Sequence, residues 1–188
     1  MTPREVLAHC REKDVRTVDM RFADFFGGWR HITIPVKHLT EDVFDDGIGF
    51  DGSSVRGWQT VDHSDMLIIP QPETAFIDPY AELTTLALIC NVHQTLTGEA
   101  YSRDPRNVAV KAVNYLNSSG IADNAYFGPE PEFFIFDEAR FDQSANEGYY
   151  HIDSSEGQWN RGNGQPTNLG NKIRYQDGYL PMPPVDQL

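Results

Sequence analysis

Two glutamates at alternate positions are the sharpest chemical signal in this sequence. Glu130 and Glu132 lie in the run GPEPEFF, directly before the apolar residues 133–136, which we expect to enter a core. We predict a strand from about residue 125 to residue 136, in which alternate residues project to the same face. The two carboxylates would then lie about 7 Å apart. At that separation they would repel each other by about 2 kcal/mol at an effective dielectric constant of about 20.

Paired carboxylates beside an apolar run need a proton, a cationic partner or a metal ion. Carboxylate oxygens are hard ligands, and such ligands suit Mg²⁺ or Mn²⁺. The competing interpretation of the same run is an acidic surface turn that its prolines stiffen. The residues by themselves leave both interpretations open.

A second candidate site is the run FDGSS at residues 50–54. Asp51 stands beside two hydroxyl groups, so its carboxylate can bind a cation or accept a proton. Taken alone, however, Asp-Gly followed by two serines favours a structural turn. Trp58 follows on a polar loop, where an indole can stack on a ligand or pack onto its own domain.

Asp65 and Tyr179 are weaker single-residue signals. Asp65 precedes an apolar stretch and can simply end a turn, whereas Tyr179 precedes a proline-rich segment, where its hydroxyl can bind a ligand or its ring can pack. The six histidines form no metal-like pair, and no Gly-rich phosphate loop of the usual kind occurs.

The elements that position these residues follow from local patterns. Thr2 followed by Pro3 and Glu5 predicts a helix start with a capping box. Two alternating stretches, at residues 18–22 and 30–34, flank a Gly-Gly turn and predict a β-hairpin. Further strands are predicted at residues 66–69, 75–77 and 84–92, and a short helix at residues 40–44.

These elements predict an α+β protein in two parts. Residues 15–97 form a small unit of strands with one or two helices. The second part, residues 104–188, begins with a helix that Asp104 caps and that Gly120 follows. Residues 137–178 are rich in Asn, Gly and Asp, so we predict a loop there.

Composition excludes several classes of protein. The chain has 188 residues, of which 39% are apolar, and a net charge of −13. That apolar content is enough for a packed core, and the acidic charge leads us to expect neither nucleic acid nor a membrane as a partner. Two cysteines are too few for a disulfide framework, and the charged amino terminus does not fit a signal peptide. We therefore predict a cytoplasmic protein.

The order and spacing of the motifs resemble the amino-terminal part of bacterial type I glutamine synthetase along essentially the whole chain. The series comprises FDGSS at 50–54, a tryptophan at 58, SDM at 64–66, DPR at 104–106, GPEPEFF at 128–134, IDSSEGQWN at 152–160 and GYLPMPP at 178–184. FDGSS and GPEPEFF in one chain are highly specific for that family.

The resemblance implies a fold and a reaction. The fold is a small β-grasp domain followed by the beginning of the catalytic α+β domain. The reaction uses ATP to phosphorylate the side chain of L-glutamate, and ammonia then displaces phosphate from γ-glutamyl phosphate to give L-glutamine. Two Mg²⁺ or Mn²⁺ ions would bind the phosphates and the γ-carboxylate. The enzyme would be a homo-oligomer that shares its active sites between subunits. Because further metal, glutamate and ATP contacts of the family would lie beyond residue 188, we expect this chain to be a fragment that is inactive alone.

The resemblance also implies roles for single residues. Glu130 and Glu132 match metal ligands, and Asp51 matches an aspartate that binds ammonium and deprotonates it. Trp58 matches a residue near the nucleotide of the neighbouring subunit, so we expect it to be exposed in the isolated chain. The other positions at or beside the ammonium pocket are Ser54, Asp65 and Tyr179.

Two other functions stay open at this stage. One is a γ-glutamyl ligase of the same superfamily that uses an amine other than ammonia. The other is a non-catalytic β-grasp interaction module. Asp51 within FDGSS, together with the SDM run, favours ammonia as the substrate.

Overall fold

A computed structural model describes residues 1–164, 167–168, 170, 172 and 182. It divides the chain into two compact units, Met1–Tyr126 and Phe127–Leu188. The domain limits expected from the sequence, 15–97 and 104–188, stay predictions. Among the described residues, no helix is long and apolar enough to cross a bilayer.

Six strands of the first unit form one curled sheet. They are β1 (Thr17–Ala23), β2 (Trp29–Pro35), β3 (Ile48–Asp51), β4 (Asp65–Pro70), β5 (Phe76–Ile77) and β6 (Thr85–Gln94). The strand order is β2-β1-β6-β4-β3, with β5 also paired to β6. β1 and β6 run parallel, and the remaining pairs are antiparallel. The α+β class predicted from the sequence is confirmed.

The core lies on one face of this sheet because β1 and β6 present their apolar residues in register. Val18 is paired with Leu86, and Met20 with Leu88. All four side chains are fully buried. β6 lies at the centre of the sheet, so its near-continuous apolar sequence is buried along most of its length, as is typical of a central strand.

Three α-helices lie in the part of the chain that the structure describes: α1 (Pro3–Glu12), α2 (Val43–Asp46) and α3 (Pro105–Ser119). The predicted capping box of α1 is confirmed, since the Glu5 amide donates to the Thr2 hydroxyl at 3.4 Å and the Thr2 amide donates to the Glu5 carboxylate at 2.7 Å. Gly120 ends α3 in the left-handed conformation, at φ 68°, as the sequence predicts.

Asp104 joins the start of α3 to the sheet. Its carboxylate accepts the Arg106 amide at 3.0 Å, which caps the helix, and the Val92 amide of β6 at 3.1 Å. The side chain is completely buried. Burial raises the pKa of this carboxyl above its usual range, against the two hydrogen bonds, which lower it.

The predicted strand at residues 125–136 is wrong. The structure places these residues in no helix or strand. A strand needs backbone donors and a neighbour, yet Pro129 and Pro131 carry no amide hydrogen and none of the described strands pairs with this segment. The expected apolar packing is also missing there, because Phe133 is 79% and Phe134 is 87% exposed.

The predicted loop at residues 137–178 is wrong in its first part. Two strands, β7 (Glu138–Gln143) and β8 (Gly148–Asp153), form an antiparallel hairpin in the second unit. Most of their residues are exposed on both faces. β8 lacks the regular polar and apolar alternation that identifies a strand in a sequence. β7 does alternate from Glu138 to Asp142, but the Asn-, Gly- and Asp-rich composition of the whole stretch favoured a loop.

Candidate functional site

Asp51 and Asp65 face each other across two antiparallel strands. Asp51 ends β3, Asp65 begins β4, and the two are direct partners in the register. Directly opposed residues have their Cβ atoms about 5 Å apart. Both side chains are exposed, and like charges in this arrangement repel. A cation bound between the carboxylates would relieve that repulsion.

The turn that follows β3 holds the Asp51 carboxylate in place. One of its oxygens accepts the Ser53 amide at 2.8 Å and the Ser53 hydroxyl at 2.6 Å. The Ser53 hydroxyl first, and then the Ser53 amide, hold the pKa of Asp51 below its usual range, and Ser54 adds to the effect. Asp51 therefore carries a negative charge at neutral pH, beside the hydroxyl groups of both serines.

Gly52 permits this turn to lie directly against β4. Its amide donates to the Ser64 carbonyl at 2.7 Å. A Cβ atom built at position 52 would lie 2.3 Å from Met66 Sδ and 3.2 Å from the Ser64 carbonyl oxygen. Since Met66 is itself buried, no larger residue fits without displacing either the sulfur or the turn.

Thr95 is a residue of this region that the sequence analysis missed. Its hydroxyl donates to the Asp65 carbonyl at 2.7 Å, and so ties the segment after β6 to the start of β4. Thr95 and Asp65 line an open groove of about 420 Å³ beside β3 and β4. No local pattern marks Thr95, because its role depends on a partner 30 positions away.

Trp58 is buried, so the expectation that it is exposed is wrong. Its side chain is 3% exposed. The indole packs against the rings of Phe22, Tyr101 and Phe50, with centroids 5.4, 5.3 and 6.2 Å away. Phe22 and Tyr101 come from distant parts of the chain, and with Phe50 they provide an apolar site that a polar loop sequence does not reveal. The predicted proximity of Trp58 to a nucleotide stays a prediction.

The second unit contains the two candidate metal ligands. Glu130 and Glu132 are exposed and lie in the irregular segment before β7. Their carboxylates are the donor type that Mg²⁺ and Mn²⁺ prefer, and so they fit as part of a metal site. Within the described residues, no group of three or more His, Cys, Asp or Glu side chains could hold a metal ion. Tyr179 lies outside the described residues.

Two families of domains match consecutive parts of the chain. The family described as "Glutamine synthetase, beta-Grasp domain" matches residues 14–95, and the family "Glutamine synthetase, catalytic domain" matches residues 102–188. Together the two matches cover nearly all of the sequence.

Curated relatives named glutamine synthetase align with the whole chain. The protein from Aquifex aeolicus is 50% identical over 187 residues, which are 100% of this chain and 39% of that protein. The protein from Microchaete diplosiphon is 48% identical over 185 residues, which are 98% of this chain and 39% of that protein. The chain thus spans about two fifths of the length of these relatives.

A solved structure shares the fold. The cryo-EM structure of glutamine synthetase from Plasmodium falciparum superposes with a TM-score of 0.64 at 21% sequence identity. The match covers 83% of this chain and 30% of the other. At this identity the likeness concerns the fold alone.

Proposed function

The chain belongs to the glutamine synthetase family, and from this premise we propose that it supplies part of an ATP-dependent enzyme that joins ammonia to L-glutamate. The observation that carries the proposal is the 50% identity along the entire chain to a relative named glutamine synthetase. Two free, buried cysteines, Cys10 and Cys90, suit the reducing cytoplasm in which we propose that the enzyme acts.

We assign ammonium binding to the region around Asp51. Its low pKa keeps the carboxylate charged, and Asp65 adds a second negative charge directly opposite. An ammonium ion has only N–H donors, which two carboxylates and the Ser54 hydroxyl can accept. Ammonium has no lone pair, so one of its protons must pass to Asp51 before the nitrogen can attack the acyl carbon. The ammonia so formed bonds to that carbon, and phosphate leaves.

Glu130 and Glu132 are the proposed metal ligands of the chain. A bound divalent ion would neutralise the charge of the phosphoryl group that ATP transfers to glutamate. The two carboxylates would be two of the ligands of that ion. Each of these glutamates directly follows a proline in GPEPE, and the fixed φ angle of proline restricts the backbone of this segment.

We further propose that the enzyme is a homo-oligomer whose active sites combine two subunits. Asp51, Ser54 and Asp65 lie in the first compact unit of the chain, and Glu130 and Glu132 lie in the second. A site between neighbours would let the short turn after β3 reach the metal without a long excursion of its own chain.

A chimera tests the proposed reaction. In it, residues 1–188 replace the matching stretch of the Aquifex aeolicus relative, which aligns with 100% of this chain. We expect this chimera to form glutamine from glutamate, ammonium and ATP. The isolated 188-residue chain should form none, because catalysis here depends on positioned charges that two glutamates cannot supply alone.

The same assay separates the alternatives. Methylamine and a polyamine are offered in place of ammonium, and the product is identified by mass. A chimera that prefers either amine would replace our proposal with the γ-glutamyl ligase. A folded, oligomeric chimera that uses none of the three amines would favour the non-catalytic module.

We predict weak Mn²⁺ binding by the isolated chain. Affinity for a hard cation grows with the number and charge of its oxygen ligands, and two carboxylates give a partial site. Calorimetric titration should therefore show a dissociation constant in the range of about 10⁻⁴ to 10⁻³ M, as for weak carboxylate sites.

The control for this titration is a variant with both ligands changed, Glu130→Gln and Glu132→Gln. It keeps the size of the side chains and removes both charges. A second variant, Glu138→Gln and Glu147→Gln, alters two acidic residues of the β7 and β8 hairpin instead. Equal Mn²⁺ affinity of the first variant and the unchanged chain would refute the metal assignment.

A further inference from the structure

The segment from Gly52 to Trp58 is a chain of consecutive turns. The Val55 amide donates to the Gly52 carbonyl at 3.2 Å, and the Trp58 amide donates to the Val55 carbonyl at 3.1 Å. Two hydrogen bonds in series thus link the backbone of Trp58 to that of Gly52, which is next to Asp51. A shift of Trp58 would therefore also move Gly52. Ser54 lies inside the first of these turns.

The two ends of this segment are held by different parts of the fold. At the first end, the Gly52 amide bonds to the Ser64 carbonyl, and Asp51 belongs to the sheet through β3. At the other end, no strand pairing is present in the described residues, and Gly57 adopts a φ of +82°. The later end therefore needs another support.

Tyr101 and Arg103 provide that support. The Tyr101 hydroxyl donates to the Trp58 carbonyl at 2.7 Å. The Arg103 guanidinium donates to the Gly57 carbonyl at 2.8 Å and to the Trp58 carbonyl at 3.3 Å. Two consecutive carbonyls of the loop thus receive three hydrogen bonds from one short segment of the chain.

Tyr101 is itself rigidly placed. Its amide donates to the Val92 carbonyl of β6 at 2.7 Å, and its carbonyl accepts the buried Asn107 side chain at 2.8 Å. The carboxylate of Asp104, which is fully buried, accepts a hydrogen bond from the Val92 amide. The support of the loop is therefore anchored on the central strand of the sheet.

The side chain of Trp58 contributes no polar anchor. Its indole nitrogen is buried and has no hydrogen-bond partner among the described residues. A buried donor without a partner is unfavourable, so the aromatic packing of Trp58 is offset in part by this loss. The loop is then held in one conformation by the packing of Trp58 together with the bonds that its two carbonyls receive.

We propose that Tyr101 and Arg103 are positioning residues for the ammonium site, which they hold in place through the loop that carries Ser54 and adjoins Asp51. The proposal rests on the proposed function for its catalytic consequence, but the mechanical part concerns this chain alone. Neither residue touches the substrate. Both act on it through the backbone of residues 52–58.

Hydrogen exchange of the isolated chain tests the mechanical part. Tyr101→Phe removes one hydroxyl and keeps the ring. We expect exchange at the Val55 and Trp58 amides to accelerate by roughly fivefold, the factor that corresponds to one lost hydrogen bond. The Leu88 amide of β6 should not change, because it reports the opening of the whole sheet. Arg103→Met should give a similar local acceleration.

The matched control is Tyr115→Phe, which removes a hydroxyl from an exposed tyrosine of α3. It should leave exchange at Val55 and Trp58 unchanged. Unchanged exchange in Tyr101→Phe would overturn the proposal. Equal acceleration of Val55 and Leu88 would also overturn it, since that result indicates general destabilisation.

Kinetics of the chimera test the catalytic part. With Tyr101→Phe we expect the KM for ammonium to rise by roughly fivefold while the KM values for ATP and glutamate and the kcat change little. Faster local exchange with an unchanged KM for ammonium would make Tyr101 a purely structural residue and refute the positioning role. A chimera that is inactive before any substitution would count against the proposed function, while the exchange experiment would still decide the mechanical part.

Discussion

Mixing an Asp51→Ala variant with a Glu132→Ala variant is expected to restore about a quarter of the activity of the unchanged enzyme. Both substitutions are made in the chimera, and the subunits are dissociated and reassembled in equal amounts. If each site takes Asp51 from one subunit and Glu132 from its neighbour, about one site in four combines two intact residues under random assembly. Glutamine formation before and after reassembly measures this fraction.

Each variant alone should lose most of its activity. Removal of a group that binds and deprotonates a substrate typically lowers the rate by about 10²- to 10⁴-fold, and removal of a metal ligand weakens the charge stabilisation of phosphoryl transfer. The control substitution is Asp62→Ala, an exposed aspartate a few residues beyond the loop, whose only described ion pair is with His63. It should keep nearly full activity.

The alternative arrangement gives a different result. If Asp51 and Glu132 of one subunit served the same site, every site in the mixture would keep one lesion. Reassembly would then restore nothing, and the shared-site proposal would fail. Reassembly of each variant with itself provides the baseline for that comparison.

Alanine at position 52 is expected to lower the free energy of unfolding by about 1–3 kcal/mol, the usual range for overpacking a well-packed site. The new methyl group would lie 2.3 Å from the Sδ atom of Met66 and 2.8 Å from its Cγ atom. Met66 is 1% exposed, so its side chain has little free space to occupy. Urea unfolding measures the loss, with Trp29 and Trp159 replaced by Phe so that Trp58 reports the first unit.

Gly49→Ala is the matched control for this substitution. Gly49 lies in the same strand region, and a Cβ atom there meets nothing within 4 Å. The free energy of unfolding of the Gly49→Ala variant should stay within about 0.5 kcal/mol of the value for the unchanged chain. Similar losses at both positions would show that the strand, and not the contact with Met66, disfavours alanine. In the chimera, Gly52→Ala should also raise the KM for ammonium, because the turn carries Asp51.

Local signals in the sequence predicted the start of α1 and both ends of α3, whereas the short helix predicted at residues 40–44 lies at Val43–Asp46. The capping box at Thr2 and Glu5, the cap at Asp104 and the glycine after α3 all occur where expected. Each depends on hydrogen bonds or backbone angles within a few residues, so neighbouring letters contain the needed information. The hairpin of β1 and β2 was predicted for the same reason.

Predictions of burial or exposure failed where the outcome depended on contacts with distant parts of the chain. Trp58 was expected on the surface and is buried, because Phe22 and Tyr101 supply its packing site from distant positions. The segment containing Phe133 was expected in a core and is exposed.

The sequence by itself determined the family, the chemical types of the candidate residues, the start of α1 and the ends of α3, because these depend on residue identity and on short spacings. Only the tertiary structure decided which of those residues meet. Strand register places Asp51 opposite Asp65, close packing requires glycine beside Met66, and Tyr101 reaches the carbonyl of a residue 43 positions earlier. Such contacts follow from the relative placement of whole strands, and a one-residue change of register would abolish them without altering any local pattern.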